Sequence, residues 1–291
     1  MKGMDMTALI IVMAVGATVV ISIIFGMLLG YASKKFYVEV DERVTKIASL
    51  LPGANCGGCG FAGCAGYAEA IVFKGAQIGK CAPGGNTVAQ EIAKVMGQGI
   101  EEKEPEVAVV LCKGDTKSAK ERFSYWGVSS CGAANIIGAG KKSCPVGCLG
   151  FGDCVKACPF GAIIMGENGL PIVLRQLCKA CGKCVSACPR GVIKLMPISN
   201  KIVVSCRNTQ KGALAKKSCE FACIKCKKCE KSCKFEAIKV EKNVPVIDYT
   251  KCKRCGKCVI ECPQGVIENF VKLDKKLLKK EDEKKEEAKA A

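Results

Sequence analysis

One run of cysteines, Cys178-x2-Cys181-x2-Cys184-x3-Cys188-Pro189, constrains this chain more than any other feature. Thiolates at that spacing are the ligand run of [4Fe–4S] clusters in two-cluster bacterial ferredoxins. Three come from one tight loop, and the fourth, just before the proline, serves the other cluster of the pair. A matching set with altered spacing precedes it, Cys144-x3-Cys148-x5-Cys154-x3-Cys158-Pro159. The crossing rule then assigns Cys144, Cys148, Cys154 and Cys188 to one cluster, and Cys158, Cys178, Cys181 and Cys184 to the other.

The whole unit repeats, and a repeat outranks local reading. Cys219-x3-Cys223-x5-Cys229-x3-Cys233 copies the altered spacing, and Cys252-x2-Cys255-x2-Cys258-x3-Cys262-Pro263 copies the regular run. The segments 162–174 and 237–248 each read as two short strands around a turn, the hairpin expected inside such a unit. The copies differ at two places: Cys226 stands where the first copy has Phe151, and Lys234 where it has Pro159. The second copy therefore offers two triplets, Cys219/Cys223/Cys229 or Cys223/Cys226/Cys229, and the regular spacing favours the second. It is joined by Cys262, while Cys233 joins Cys252, Cys255 and Cys258. Phe151 leaves no such choice in the first copy.

A third module lies upstream, Cys56-x2-Cys59-x4-Cys64-x16-Cys81, with glycines that let backbone approach a cluster closely. Residues 63–75 read as a helix starting at the third ligand, with its terminal N–H groups near the anion. The 24 cysteines suit either a disulfide scaffold or a metal protein. Three cysteines within seven residues followed by Cys-Pro decide for metal. The chain has no histidine, which excludes mixed Cys/His zinc, Rieske centres and His-ligated haem. All-cysteine zinc uses two separated pairs, not runs that cross. Five [4Fe–4S] clusters are expected, and a sixth only if Cys112, Cys131 and Cys206, together with the spare member of Cys219/Cys226, also ligate. The favoured reading of those cysteines is as small buried apolar residues.

Thr7–Gly30 is 24 residues without a charge, long enough to cross a bilayer as a helix. Lys34 and Lys35 follow it, placing the C-terminal side in the cytoplasm by the positive-inside rule. A reducing compartment agrees with free thiols and labile clusters. The formal charge of +18 is an overstatement, since a four-thiolate cube carries about −2, so that five would remove roughly ten units. Lys179, Lys183, Arg190, Lys225, Lys227, Lys228, Lys231, Lys253, Arg254 and Lys257 crowd the cluster loops. They offset cluster charge and form a rim that would steer an acidic protein partner. Tyr125 and Trp126 read as core or domain-contact residues. No Gly-rich dinucleotide fingerprint, flavin attachment motif or acid–base constellation is present, so hydride chemistry belongs to a partner. With 5% aromatics, the cysteine loops lack stacking platforms for nucleic acid.

The anchor, the Cys56/Cys59/Cys64/Cys81 module and the wording GCLGFGDCVKACPFGAI (147–163) together resemble the B subunits of Rnf electron-transport complexes and of the related Rsx complexes. The 56–81 motif is also similar to the cluster module of corrinoid iron–sulfur proteins. The resemblance implies a membrane complex moving electrons between reduced ferredoxin and NAD, coupled to Na⁺ or H⁺ translocation, in which this subunit receives electrons from ferredoxin. An Rsx-type complex reducing a redox regulator is the alternative. The second ferredoxin unit departs from the shortest family members. The expected fold class is α+β. Its parts are a transmembrane anchor (1–35), a small α-rich [4Fe–4S] module (36–86), a connector (87–142), two tandem ferredoxin-like domains (143–198 and 199–270) and a charged tail (271–291). The expected partners are the other complex subunits, soluble ferredoxin and the membrane, without nucleic acid.

Overall fold

The computed structural model describes residues 6–36, 41–100 and 102–270. It forms two units, Met1–Thr45 and Lys46–Ala291. The first contains α1 (Met6–Lys35), which has no acidic residue in its first turn and Lys34 and Lys35 in its last. Apolar side chains stand exposed all around it, Ile21, Phe25 and Leu29 among them. Such a helix is stable only in an apolar solvent. Its stretch Met13–Lys35 is long and apolar enough to span a bilayer, and is the one such helix among the described residues. The expected charged tail, 271–291, lies outside the described residues.

The second unit begins within α2 (Glu42–Leu50) and buries Ile47 and Leu51. Helix α3 (Gly63–Lys74) starts one residue before Cys64 and closes at Gly75 in the left-handed conformation (φ 60°), where glycine carries no Cβ penalty. Helix α4 (Gly85–Met96) packs Ala89, Ile92 and Ala93 inward.

The remaining elements form two similar units. In the first, β1 (Glu106–Val110) leads to α5 (Cys131–Ile136), the one-turn helix α6 (Asp153–Lys156), and the hairpin β2 (Ile163–Met165) and β3 (Pro171–Val173). The one-turn helix α7 (Lys183–Ser186) and β4 (Ile193–Pro197) complete it. In the second, β5 (Ile202–Val204) precedes α8 (Gly212–Ser218) and the one-turn helix α9 (Lys228–Lys231). The hairpin β6 (Ile238–Glu241) and β7 (Val244–Ile247), the one-turn helix α10 (Lys257–Ile260) and β8 (Ile267–Asn269) follow. Both hairpins fall within the segments expected from the sequence. In each unit the leading strand pairs antiparallel with the closing one: β1 with β4, from Glu106↔Pro197 to Val110↔Ile193, and β5 with β8, from Ile202↔Asn269 to Val204↔Ile267. Strand β1, within the stretch expected to be a connector, thus completes the sheet of the first ferredoxin-like unit.

Strand β1 is apolar on both faces because both are covered. Successive side chains alternate, so Ala108 and Val110 enter the core with Ile163, Val192 and Ile193. Val107, Val109 and, beyond the strand, Leu111 turn the other way and meet Val203 of β5. Ile202 and Val204 face the core of the second unit, with Ile238, Val266 and Ile267. The two units therefore join along their leading strands, each of which runs out two residues later into a cysteine, Cys112 or Cys206.

Candidate metal centres

Each ferredoxin-like run positions its third cysteine by the same local device. The residue just before each one-turn helix is left-handed: Gly152 (φ 78°), Lys227 (φ 58°), Gly182 (φ 76°) and Gly256 (φ 78°). This turn aims successive N–H groups into the concavity, an anion-binding nest. The helices then present Cys154, Cys229, Cys184 and Cys258 inward. Backbone N–H groups also reach sulfur: Ala162 N to Cys158 Sγ at 3.3 Å, and Ala108 N to Cys178 Sγ and Ala237 N to Cys233 Sγ at 3.4 Å each. Hydrogen bonds to the sulfurs are one of the means by which a protein sets cluster potential.

The cysteines fall into groups of four. In the second unit, Cys223, Cys226, Cys229 and Cys262 line one recess of about 340 Å³. Cys233, Cys252, Cys255 and Cys258 line another of about 370 Å³. The regular triplet is thus the one brought together, and Cys219 stands elsewhere. In the first unit, Cys184 is buried, and its thiol is pushed up to about 12 by burial and by its neighbours Cys178, Cys181, Cys154 and Cys158. Upstream, burial raises the Cys81 thiol, as do Cys64, Cys59 and Cys56 around it. There the Tyr67 hydroxyl donates to the Gln77 carbonyl (2.9 Å) and accepts from the Lys80 N–H (3.1 Å), tying the Cys81 loop to α3.

The remaining expected quartet is rearranged. Cys148, Cys154 and Cys188 share a recess of about 370 Å³ with Cys131, not with Cys144. Cys131 opens α5, where Ser130 caps the helix and the Asp153 carboxylate accepts from Ser130 Oγ (2.9 Å) and the Gly132 N–H (3.0 Å). Burial works against that carboxylate, but these hydrogen bonds hold it below the usual carboxylate range. Phe151, at the position of Cys226 in the second copy, packs against Tyr125 with ring centroids 5.3 Å apart, beside Cys131, Ala134 and Leu149. A cysteine from a distant segment thus fills the place that Phe151 leaves empty. Tyr125 is a packing residue, as expected. Trp126 is 94% exposed and is no core residue. Cys144 lies with Cys112, Cys206 and Cys219, where burial and then the thiols of Cys112, Cys144 and Cys206 push the Cys219 thiol up.

An all-thiol donor set without histidine fits iron–sulfur clusters. Among the described residues, no three His, Cys, Asp or Glu side chains gather closely enough to share a single ion. That also fits a cube, whose four thiolates each bind a different corner iron. Arg190 Nε, in the lining of the Cys131 recess, is buried without a hydrogen-bond partner, an orphan that an anionic occupant would satisfy.

Residues 51–83 match a family model for an Fe-S cluster, and residues 142–193 and 222–267 match the 4Fe-4S dicluster domain. The chain is 48% identical over 243 residues to the B subunit of the ion-translocating oxidoreductase complex of Methanosarcina acetivorans, covering 84% of this chain and 92% of that protein. It is 44% identical to the B subunit of the proton-translocating ferredoxin:NAD(+) oxidoreductase complex of Clostridium ljungdahlii, over 90% of this chain and 93% of that one. The B subunit of the Na(+)-translocating ferredoxin:NAD(+) oxidoreductase complex of Acetobacterium woodii is 44% identical, over 91% and 80% respectively. Taken with the cysteine runs and the apolar helix, these likenesses show that the chain belongs to the family of B subunits of ion-translocating oxidoreductase complexes.

Proposed function

We propose that this chain is the membrane-anchored electron relay of an ion-translocating ferredoxin:NAD oxidoreductase, receiving electrons from reduced ferredoxin while its partner subunits carry the hydride chemistry and the ion path. The contiguity of the cysteine quartets carries this reading. A Cβ on Gly58, in the first module, would stand 2.6 Å from the Cys181 carbonyl oxygen, and Cys56 and Cys181 are electrostatic neighbours. Cys184 in turn neighbours Cys154 of the next quartet. In the second unit, Cys223, Cys229, Cys233, Cys258 and Cys262 share one core. Bound in such quartets, [4Fe–4S] clusters supply reversible one-electron storage.

The proposed ligand sets are Cys56/Cys59/Cys64/Cys81, Cys158/Cys178/Cys181/Cys184, Cys131/Cys148/Cys154/Cys188, Cys223/Cys226/Cys229/Cys262 and Cys233/Cys252/Cys255/Cys258. The protein's part is to orient these thiolates and donate N–H groups to their sulfurs; Cys131, Cys148, Cys154, Cys184, Cys223 and Cys229 are buried, and most of the others are half-buried. Cys226 and Cys255 are exposed, in the second unit, beside exposed Lys227, Lys228, Lys253, Arg254 and Lys257. Complementary charge there would steer an acidic ferredoxin onto the accessible thiolate edge. Lys225 is excluded from that role, since its ammonium is held by the Asn208 carbonyl (2.8 Å) and the Cys223 carbonyl (2.7 Å). The reading also sets the anchor in the cell membrane with residues beyond Lys35 in the cytoplasm.

Charge reversal at Lys227 and Lys228 tests the docking. It should slow reduction of the purified chain by ferredoxin several-fold at low salt, with the difference shrinking as salt rises, and leave reduction by dithionite unchanged. Equal rates with ferredoxin in variant and wild type would remove this face as the entry point. Stoichiometric zinc with little acid-labile sulfide in the purified protein would sink the relay itself.

A further inference from the structure

We propose that Cys112, Cys144, Cys206 and Cys219 hold a sixth [4Fe–4S] cluster between the two ferredoxin-like units. The inference rests on the iron–sulfur reading of the other five quartets, which use twenty of the 24 cysteines. The four left over do not scatter. They line a single recess of about 410 Å³, compared with about 370, 340 and 370 Å³ for the three ferredoxin-type recesses. Four unrelated structural cysteines have no reason to line one recess together.

The recess has the symmetry of the repeat. Cys112 and Cys206 follow the equivalent strands β1 and β5, and Cys144 and Cys219 hold the same position in the two altered runs. Each unit contributes one of each kind. The supports cross between units as well. Segment 118–120 of the first unit pairs with 218–220 of the second, through Lys120 N to Ser218 O (3.0 Å) and Glu220 N to Ser118 O (2.8 Å). In return Asn208 of the second unit, 2% exposed, points its amide at Cys144 Sγ (3.5 Å).

The lining suits an anionic occupant. Cys112 Sγ accepts from the Cys148 N–H and Cys206 Sγ from the Cys223 N–H, each at 3.4 Å. Lys142 is 2% exposed, and its ammonium donates to the Gly114 carbonyl (2.8 Å) at the edge of the recess. A buried cation beside neutral thiols is costly, whereas beside a thiolate-ligated cluster it is compensated. The Ser205 hydroxyl, 1% exposed in the same lining, has no hydrogen-bond partner. Space for the occupant depends on glycine: a Cβ on Gly114 would stand 3.0 Å from Cys219 Sγ and 3.8 Å from Cys112 Sγ.

The position gives the site its role. The same two N–H···S contacts join it to Cys148 on one side and to Cys223 on the other, each a ligand of its unit's inner quartet. The units also meet through apolar side chains of β1 and β5, through Lys113, which donates to the Gly265 carbonyl (2.9 Å) and pairs with Glu268 (3.2 Å), and through Arg207, which donates to the Gly191 carbonyl. The sixth site is therefore the redox link between the two halves, and the quartets form one file from the Cys56 module to the Cys255 edge.

The test is iron, acid-labile sulfide and zinc per chain on anaerobically purified full-length protein, with EPR of the reduced state. Wild type should hold about 24 iron with matching sulfide, four per cluster. The double variant Cys206→Ser/Cys219→Ser should hold about 20 and lose one cluster's worth of EPR intensity. Gly114→Val, which keeps all 24 cysteines and fills the recess, should lose the same four. A wild-type content of about 20, unchanged in both variants, would overturn the sixth site while leaving the five-cluster relay standing. One zinc per chain beside about 20 iron, lost in the double variant, would overturn it in favour of a single-ion site. Little iron and sulfide in wild type would instead refute the relay as a whole, a distinguishable failure.

Discussion

The contact between Gly58 and Cys181 can be broken with one methyl group. Gly58 does not have a left-handed φ, so alanine there brings no backbone strain, and its effect comes from contact alone. The added Cβ would lie 2.6 Å from the Cys181 carbonyl oxygen and 3.3 Å from its carbon and Cα. These are backbone atoms that no side-chain rotation can move. A carbon–oxygen contact settles at about 3.3–3.6 Å, so the two ligand loops must part by about 0.7–1.0 Å. Overpacking of this kind costs about 1–3 kcal/mol. At about 1.4 kcal/mol per tenfold, the docked arrangement loses a factor of about 5 to 150 relative to an undocked one. Magnetic coupling between reduced clusters at Cys56/Cys59/Cys64/Cys81 and Cys158/Cys178/Cys181/Cys184 reports the separation directly. EPR of the dithionite-reduced full chain should show weaker coupling in Gly58→Ala at unchanged iron content. Unchanged coupling would refute the docking argument. A loss of four irons would refute it equally, by placing the damage inside the Cys56–Cys59 loop.

Three further outcomes follow from the geometry. Cys131→Ser should lose about four irons from the first ferredoxin-like unit, and adding Phe151→Cys, which recreates the regular ligand position of the second copy, should restore them; no iron loss in Cys131→Ser would return that ligand role to Cys144. Asp153→Asn removes the carboxylate that pins Ser130 and Gly132, at about 1.5–3 kcal/mol for hydrogen bonds to a charged group, and should make the cluster held by Cys131 the first to be bleached on chelator challenge. Because the Asp153 pKa is depressed in the fold, its stabilisation is full above the ordinary carboxylate range and is lost as pH falls through the lower folded value. Gly212→Ala would overlap the Ile224 carbonyl with its Cβ, so it should selectively cost the second unit the iron bound beside Cys223 and Cys226, as measured by iron content and by EPR.

The legible part of the site was local. Three cysteines in seven residues before Cys-Pro define a loop whatever surrounds it, so the grouping of Cys178, Cys181 and Cys184, and of Cys252, Cys255 and Cys258, is legible directly, and the Cys56-x2-Cys59-x4-Cys64 run is comparably local. The hairpins and α3 were legible for the same reason, since turn residues and apolar periodicity act within about ten positions. That Cys226 rather than Cys219 shares a recess with Cys223 and Cys229 also accords with spacing. The altered run in the first copy has the look of a variant regular loop, yet Cys131 and not Cys144 lines the recess with Cys148 and Cys154. Two signals pointed the other way: Phe151 broke the loop at a ligand position, and the cysteine total was divisible by four.

An apolar helix long enough to span a membrane, dense cysteine runs and a duplicated ferredoxin-like unit are all written in local sequence. Which distant cysteines meet depends instead on long-range packing. Cys131 reaches Cys154 because Asp153 and the cap of α5 fold that segment back. Cys112, Cys144, Cys206 and Cys219 meet because Val107, Val109 and Leu111 must bury themselves against Val203, which sets the strand ends side by side. These pairings join positions up to about a hundred residues apart, where the chain between them leaves no periodic trace. Their driving force is apolar burial between units, which is non-directional and indifferent to sequence separation.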